Sequence, residues 1–333
     1  MIEVEHLHKV YGSTVALEDI SFTVEPGEIL GFLGPNGAGK TTTMRILTGY
    51  LPATRGTARV ADYDVHTDSI AVRQRIGYLP EKPPLYLDMT VEAFLHFVAR
   101  LKGIPAGDRF ERVNHAMERC SLEEKESVLI RKLSKGYRQR VGIAQAIVHD
   151  PPVIVLDEPT SGLDPRQNSE VRELIRSLAG DHTIILSTHI LPEVDATCNR
   201  VAIINRGQLI AAGTLDTLMH QLTGALNYEV EVRGTSADIQ QTLLNIPAIS
   251  TVEQLNSPGQ DDSRYRFQVT PEAAGDPGEA IAATLVQAGF GLCELRRHQA
   301  SLEDIFLNLT MEETAAEAEE VEVGEFDEVE SNG

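Results

Sequence analysis

The sequence predicts an α/β fold built on a buried parallel sheet, followed by a smaller α+β domain. The parallel sheet is predicted by three segments that are each apolar on both faces and bounded by polar residues, as buried parallel strands are. These segments are residues 29–33, 153–156 and 183–187. Alternating strand and helix patterns after residue 227 carry the second part. Since parallel strands end at one crevice, we expect the polar residues that follow the three strands to share a site.

More exposed strands flank this sheet in the prediction. Residues 2–10 and 20–24 alternate between apolar and polar positions, which indicates an antiparallel flank. Residues 201–204 and 209–212 are separated by an Asn-Arg-Gly-Gln turn, and this pattern is typical of a hairpin.

A glycine-rich segment follows the strand at residues 29–33. Its glycines allow positive φ angles and bring backbone N–H groups close to anionic oxygens, and the next helix points its positive end at the same place. Lys40 would reach the β- and γ-phosphates, and Thr41 would offer a hydroxyl to Mg²⁺. A ligand-free turn is the alternative, but a Lys-Thr pair serves no turn geometry. The predicted nucleoside triphosphate site comprises Gly34, Pro35, Asn36, Gly37, Ala38, Gly39, Lys40, Thr41 and Thr42.

Strand patterns vanish between residues 80 and 150, where apolar residues recur at helical spacing after Thr90. We interpret about 82–148 as a helical insertion within a first domain that spans residues 1–222. Ser134 is a natural cap for a helix inside this insertion. The start of that helix is either a second phosphate site or a plain capped helix with a basic first turn.

Two carboxylates end the strand at residues 153–156. Burying the carboxylates of Asp157 and Glu158 there costs free energy unless a cation binds them or hydrogen-bond donors contact them. Mg²⁺ held with Thr41 would satisfy Asp157, and Glu158 would polarise the attacking water. His189 follows the third strand and could hydrogen-bond the γ-phosphate or that water. A plain strand end and a structural histidine are the alternatives, and the glycine-rich loop upstream favours the functional interpretation.

The remainder of the chain predicts a small domain and a tail. Residues 227–297 give the order strand, helix, strand, strand, helix, strand, which is the ferredoxin-like pattern. With an amphipathic helix from about residue 301, the accessory α+β domain spans 227–310. Residues 311–333 carry ten acidic side chains and no Lys or Arg. We expect a disordered, solvating acidic tail, with a docking role as the alternative.

Composition excludes several classes of protein. The three cysteines are scattered and odd in number, so the sequence supports neither a disulfide framework nor a zinc site. The sequence contains no run of about 18 apolar residues that could span a membrane, and residues 1–5 lack the basic start and apolar stretch of a signal peptide. We therefore expect a cytoplasmic chain. The net charge of −21 argues against a nucleic-acid partner.

Together these motifs resemble the ATP-binding subunit of ABC transporters over nearly all of residues 1–222. The resemblance makes the glycine-rich loop the Walker A motif, the strand ending at Asp157 the Walker B motif with Glu158 as catalytic base, and His189 the switch histidine. It also implies that Tyr11 stacks on adenine. In that family the helix after Ser134 is the signature helix, which caps the ATP of the opposing subunit.

The resemblance adds Gly136 of the signature helix and Asp164 of the loop 161–164, which communicates between the two sites. It implies an ATPase that uses ATP and Mg²⁺, a head-to-tail homodimer, a separate integral-membrane permease and a peripheral position on the cytoplasmic face of the membrane. Lys135 and Tyr137 depart from the usual Leu-Ser-Gly-Gly-Gln signature. Glu81 occupies the place of a glutamine that touches metal or water.

These departures, with residues 83–91 and 301–306, resemble the subgroup that serves type-2 exporter permeases, including gliding-motility-associated ATPases. The alternative is a soluble ABC-type ATPase that acts on ribosomes or nucleic acid without a permease. The acidic balance and the single ATPase unit disfavour it. A GTP switch is a third possibility, but the sequence lacks its Asn-Lys-x-Asp guanine reader.

Overall fold

The chain divides into two units, Met1–Leu215 and Asp216–Gly333. The computed structural model describes residues 2–215, 217–218, 227–255, 264–271 and 277–298. The predicted boundary near residue 222, the helix from about residue 301 and the acidic tail 311–333 lie outside these residues, so the predicted domain limits stay predictions.

The described part of the first unit contains ten strands and seven α-helices. The strands are β1 (Ile2–Tyr11), β2 (Thr14–Val24), β3 (Ile29–Leu33), β4 (Arg55–Val60), β5 (Tyr63–Asp64), β6 (Ile76–Leu79), β7 (Val153–Asp157), β8 (Thr183–Thr188), β9 (Arg200–Asn205) and β10 (Gln208–Gly213). The helices are α1 (Lys40–Leu47), α2 (Ser69–Arg75), α3 (Val91–Leu101), α4 (Arg109–Arg119), α5 (Lys135–Ile147), α6 (Pro165–Leu178) and α7 (Leu191–Thr197).

A six-stranded sheet in the order β10-β9-β3-β8-β7-β6 forms the centre of this unit. Its strands are parallel from β9 to β6, and β10 pairs antiparallel with β9. Every residue of β3, β7 and β8 is buried, because one face of the sheet packs against helices that include α5 and α6 and the other against α1 and the strands β1 and β2. This arrangement confirms the predicted α/β class. The register sets Leu33 beside Thr188 and Asp157 beside Ser187, so the carboxyl ends of the three strands meet.

A second sheet, in the order β2-β1-β4-β5, is antiparallel. Strand β2 begins at Thr14, six residues before the predicted strand at 20–24. The sequence pattern does not reveal this part of β2 because the strand is irregular: its pairing with β1 shifts register, and Asp19 has a φ of 51°.

Between β6 and β7 the described chain forms α3, α4, α5 and two 3₁₀ turns. Thr90 caps α3 by accepting a hydrogen bond from the N–H of Ala93 at 3.2 Å. The apolar face of α3 is buried in a core shared with α4 and α5, because its apolar residues recur every three to four positions.

The second unit is a strand-helix-strand-strand-helix-strand arrangement. Its described elements are β11 (Asn227–Arg233), α8 (Ser236–Leu244), β12 (Ile249–Leu255), β13 (Arg264–Pro271), α9 (Gly278–Gln287) and β14 (Gly291–His298). The four strands form an antiparallel sheet in the order β12-β13-β11-β14. Val230 and Phe267 of the sheet pack in one core with Ile239 of α8 and Leu285 of α9.

No helix among the described residues is both long and apolar enough to cross a bilayer.

A half-buried histidine in the first unit predicts acid sensitivity. His149 Nε2 lies 3.2 Å from the carbonyl oxygen of Ile76, and its Nδ1 has no hydrogen-bond partner within the described ranges. Burial, with the positive charge of Lys102, lowers the pKa of His149 to about 3, and the hydrogen bond with the Ile76 carbonyl and the carboxylate of Asp150 only partly oppose this. The unfolded ring binds a proton near pH 6.5. The contribution of His149 to the free energy of unfolding is therefore fully present above about pH 6.5, and it is lost as the pH is lowered.

We expect the free energy of unfolding to decrease by about 2 kcal/mol between pH 7 and pH 5 through this group. His149→Gln should remove that decrease, as measured by urea unfolding at each pH. The exposed His115→Gln is the control. Equal losses in the wild type and His149→Gln would exclude His149 as the cause.

Candidate functional site

The glycine-rich loop joins β3 to α1 and depends on glycine at two positions. Gly39, with φ 106°, is left-handed, and a Cβ there would lie 2.6 Å from the side chain of Leu17. Gly34 packs against the carbonyl oxygen of Ile204, which leaves no space for a side chain. The loop therefore approaches neighbouring backbone more closely than any other residue type would allow.

Lys40 is folded back onto this loop. Its Nζ donates to the carbonyl oxygens of Gly34 at 2.7 Å and Pro35 at 3.1 Å, and lies 3.6 Å from Oε1 of Glu158. Lys40 is only 6% exposed. Burial lowers the pKa of Lys40, and the carboxylate of Glu158 opposes this most strongly. The ammonium is thus largely excluded from water, and an anion that enters the site could replace the two carbonyl oxygens as its hydrogen-bond acceptor.

Asp157 ends β7 with one carboxylate oxygen satisfied and one not. The hydroxyl of Ser187 donates to Oδ1 at 2.8 Å, while the buried Oδ2 has no partner among the residues that the structure describes. Burial raises the pKa of Asp157, and the hydroxyls of Ser187 and Thr41 oppose this rise. An orphaned carboxylate oxygen near a hydroxyl is a donor set suited to Mg²⁺.

Glu158 lies between Lys40 and His189. The Nδ1 atom of His189 is 3.0 Å from Oε1 and 2.9 Å from Oε2 of Glu158. Glu158 also has a φ of 51°, a left-handed conformation that costs a non-glycine residue about 1–3 kcal/mol. The N–H of Glu158 bonds the carbonyl oxygen of Ser187 at 2.9 Å, which helps to hold this backbone. The carboxylate is therefore fixed from two sides at the end of the sheet.

Lys40, Glu158 and His189 line one cavity of about 280 Å³, the catalytic cavity. The predicted residues that line this cavity include Glu81, whereas Gly34, Pro35 and Ala38 of the loop and Asp157 at the end of β7 are not among its lining residues. Ala16 of β2 was missed by the sequence analysis, because an alanine in a strand carries no chemical signal. The lining residues are Ala16, Asn36, Gly37, Gly39, Lys40, Thr41, Thr42, Glu81, Glu158, Ser161 and His189.

Tyr11 is not one of the residues that line the catalytic cavity. It is exposed at the end of β1 and pairs with Thr14, two residues before Ala16. The Nζ of Lys9 lies 5.2 Å from the centroid of the Tyr11 ring and donates to the carbonyl oxygen of Pro52 at 2.7 Å. One face of the ring is therefore backed by a fixed cation.

Three predicted residues lie in a different cavity of the same unit. Ser134, Gly136 and Asp164 line this signature cavity, which measures about 540 Å³. Ser134 caps α5 by accepting from the N–H of Tyr137 at 3.4 Å, and Asp164 caps α6 by accepting from the N–H of Gln167 at 2.9 Å. A single chain thus holds its predicted phosphate-contacting residues in two separate places.

The sequence is similar to those of known ATP-binding proteins. A sequence model described as ABC transporter matches residues 17–161. The chain is 30% identical over 311 residues to the linearmycin resistance ATP-binding protein LnrL of Bacillus subtilis, covering 93% of this chain and 98% of that protein. It is 35% identical over 315 residues to the Nod factor export ATP-binding protein I of Ralstonia nicotianae, covering 93% and 94% of the two chains.

Two solved structures resemble about two thirds of the chain. One is described as the ATP binding subunit of an ABC transporter and has a TM-score of 0.62 at 32% identity, covering 67% of this chain and 93% of that one. The other, a dimeric post-hydrolysis state of an ATP-binding cassette bound to ADP and Pi, has a TM-score of 0.59 at 23% identity, covering 65% and 99%. The second likeness establishes the fold alone.

Proposed function

The chain belongs to the ABC transporter family as an ATP-binding subunit with ATPase activity, and we propose that two copies bind two Mg²⁺–ATP between them and drive a separate integral-membrane permease. The observation that carries the proposal is the fixed Lys40–Glu158–His189 arrangement beside the orphaned oxygen of Asp157.

The glycine-rich loop and Lys40 bind the triphosphate. The loop presents backbone N–H groups and the start of α1 to the phosphates. The ammonium of Lys40 exchanges its two carbonyl partners for β- and γ-phosphate oxygens, which are stronger acceptors because they are charged.

Thr41 and Asp157 would hold Mg²⁺. No group of three or more His, Cys, Asp or Glu side chains suited to a metal ion occurs in the part of the chain that the structure describes, so phosphate and water oxygens would supply the other ligands. When bound, Mg²⁺ neutralises charge on the phosphates. Glu81, which lines the same cavity, places a further carboxylate close to this position.

Glu158 orients and deprotonates the attacking water. Lys40 and His189 fix the carboxylate, so it need not reorganise when the water arrives. His189 is in reach of the γ-phosphate side of the cavity, where its ring could also stabilise charge. Tyr11, backed by Lys9, presents its open face to adenine.

The signature cavity supplies the other half of each site. Ser134 and Gly136 lie at the N-terminus of α5, where N–H groups and the helix dipole favour a phosphate. Because Lys40 and Ser134 line different cavities of one chain, a second copy placed head to tail brings the two halves together over one ATP.

An apolar groove of about 660 Å³ marks the surface for the permease. Three large side chains around it are unusually exposed for apolar residues, namely Tyr50 (75%), Ile70 (73%) and Leu101 (70%). Exposed apolar clusters of this kind indicate an interaction site. Arg73 and Lys102 also line the groove, so it suits an apolar segment with an acidic side chain. Tyr78, which lines the groove, precedes Glu81 of the catalytic cavity by three residues.

We expect Ile70→Asp and Leu101→Asp to reduce co-purification with the membrane partner in mild detergent by at least about tenfold, because each change places a charge in the groove. The ATPase rate of the isolated chain should stay within about twofold. Phe110→Asp is the matched control, since Phe110 is 64% exposed and lies outside the groove. Equal recovery of the partner with all three variants would overturn the assignment, as would partner-free, nuclease-sensitive sedimentation with ribosomes.

We propose export as the direction of transport, because two of the relatives are named for Nod factor export and linearmycin resistance. The chain would then lie peripherally on the cytoplasmic face of the membrane. For residues 227–310 we propose a ferredoxin-like accessory domain, supported by the strand order β12-β13-β11-β14. Failure of this segment to fold when expressed alone would count against an independent domain. The tail 311–333 would be a solvating appendage.

A further inference from the structure

Lys135 occupies a position that local helix energetics does not explain. It is the first residue of α5, at the positive end of the helix dipole, where a cation is unfavourable. The first turn of α5 contains no acidic residue. The Lys135 side chain is exposed, and among the described residues no carboxylate is within ion-pair distance of it. Neither the helix dipole nor an ion pair therefore favours a lysine at this position.

The Lys135 ammonium lies against a neighbouring loop of the same chain. A Cβ built on Gly162 would overlap Nζ of Lys135 and lie 3.5 Å from its Cε. Gly162 has a φ of 67°, so the loop also needs glycine for its backbone. The long side chain of Lys135 therefore connects the start of α5 to Gly162, and a shorter residue could not do so.

This loop, residues 161–164, touches both cavities. Its first residue, Ser161, lines the catalytic cavity and donates its N–H to the carbonyl oxygen of Glu158 at 3.2 Å. Its last residue, Asp164, lines the signature cavity and caps α6. Lys135 contacts the loop between these two points, at Gly162.

We propose that Lys135 is a positioning residue that couples the two ATP sites of the dimer. When the partner's nucleotide binds at the N-terminus of α5, any shift of that helix start moves the Lys135 ammonium. The movement reaches Gly162 and, through Ser161, the backbone of Glu158 in the chain's own catalytic cavity. The inference rests on the proposed head-to-tail dimer and adds a physical link between its sites.

The test is the cooperativity of ATP hydrolysis by the full chain. For two coupled sites, we expect a wild-type Hill coefficient between about 1.5 and 2. Lys135→Ala should reduce it to about 1, and Gly162→Ala should do the same by displacing the ammonium. The double variant should lose nothing further, since both changes break one contact. Lys135→Arg should retain cooperativity. Lys132→Ala, an exposed lysine outside both cavities, is the matched control.

A fluorescent ATP analogue measures nucleotide affinity in the same variants. We expect affinity within about twofold of wild type, because Lys135 acts through the loop. An unchanged Hill coefficient in Lys135→Ala overturns the proposal, and so does a loss of affinity in place of cooperativity. Should Gly162→Ala fail to fold, Lys135→Ala and Lys135→Arg decide the matter. A non-cooperative wild type that binds ATP and dimerises overturns this inference alone, whereas one that neither binds nor dimerises overturns the proposed function.

Discussion

Glu158→Gln is expected to reduce the ATP turnover number by at least about 100-fold while leaving the ATP dissociation constant within about threefold of wild type. The amide keeps the shape of the side chain and its contact with Lys40, but it cannot accept a proton from water. The proposed phosphate contacts come from the glycine-rich loop and Lys40, which the substitution leaves unchanged. Binding and chemistry should therefore separate in this variant.

The same variant should accumulate the ATP-bound dimer. If cleavage of ATP is what allows two copies to part, a chain that binds but does not cleave stays paired. Size-exclusion chromatography with Mg²⁺–ATP measures the dimer, and a phosphate-release assay measures turnover. Glu173→Gln is the matched control, because Glu173 is an exposed carboxylate on α6. Turnover unchanged in Glu158→Gln would remove Glu158 from the role of base.

Lys40→Ala should instead weaken nucleotide binding itself, by at least about 100-fold in the dissociation constant. Lys40 is a nearly dry cation with two charge-assisted contacts available to phosphate, and alanine removes both. The change also leaves Glu158 buried without its cation, so we expect about 1–3 kcal/mol lower stability.

Calorimetric titration with Mg²⁺–ATP measures the affinity of Lys40→Ala, and circular dichroism shows that the variant is folded. Lys132→Ala removes an equal charge from the surface and should bind ATP normally. A dissociation constant for Lys40→Ala within about threefold of wild type would show that Lys40 does not contact the phosphates.

The sequence was sufficient for the parts of the fold that depend on short patterns. Burial on both faces leaves continuous apolar runs, so β3, β7 and β8 were predictable, and their shared carboxyl end followed from parallel pairing. Helix α3 was predictable because Thr90 and the apolar spacing after it are local signals. The ATP-binding family was likewise confirmed by the comparisons.

Features that depend on distant segments were not predictable. The entry of Ala16 into the catalytic cavity depends on how β2 packs beside the loop, which no local pattern encodes. The groove at Tyr50, Ile70 and Leu101 joins three segments distant in sequence, and each of these residues alone resembles a core position. The contact of Lys135 with Gly162 likewise arises only after α5 and the loop 161–164 have packed together.

At Glu158, the left-handed backbone makes thermal stability and catalytic activity favour different residues. Glycine would relieve the conformational penalty there, yet it would remove the carboxylate on which cleavage of ATP depends. Directed evolution that rewards thermal robustness alone would therefore tend to select inactive descendants at this residue. Selection for higher thermal stability must therefore measure ATP turnover in the same round.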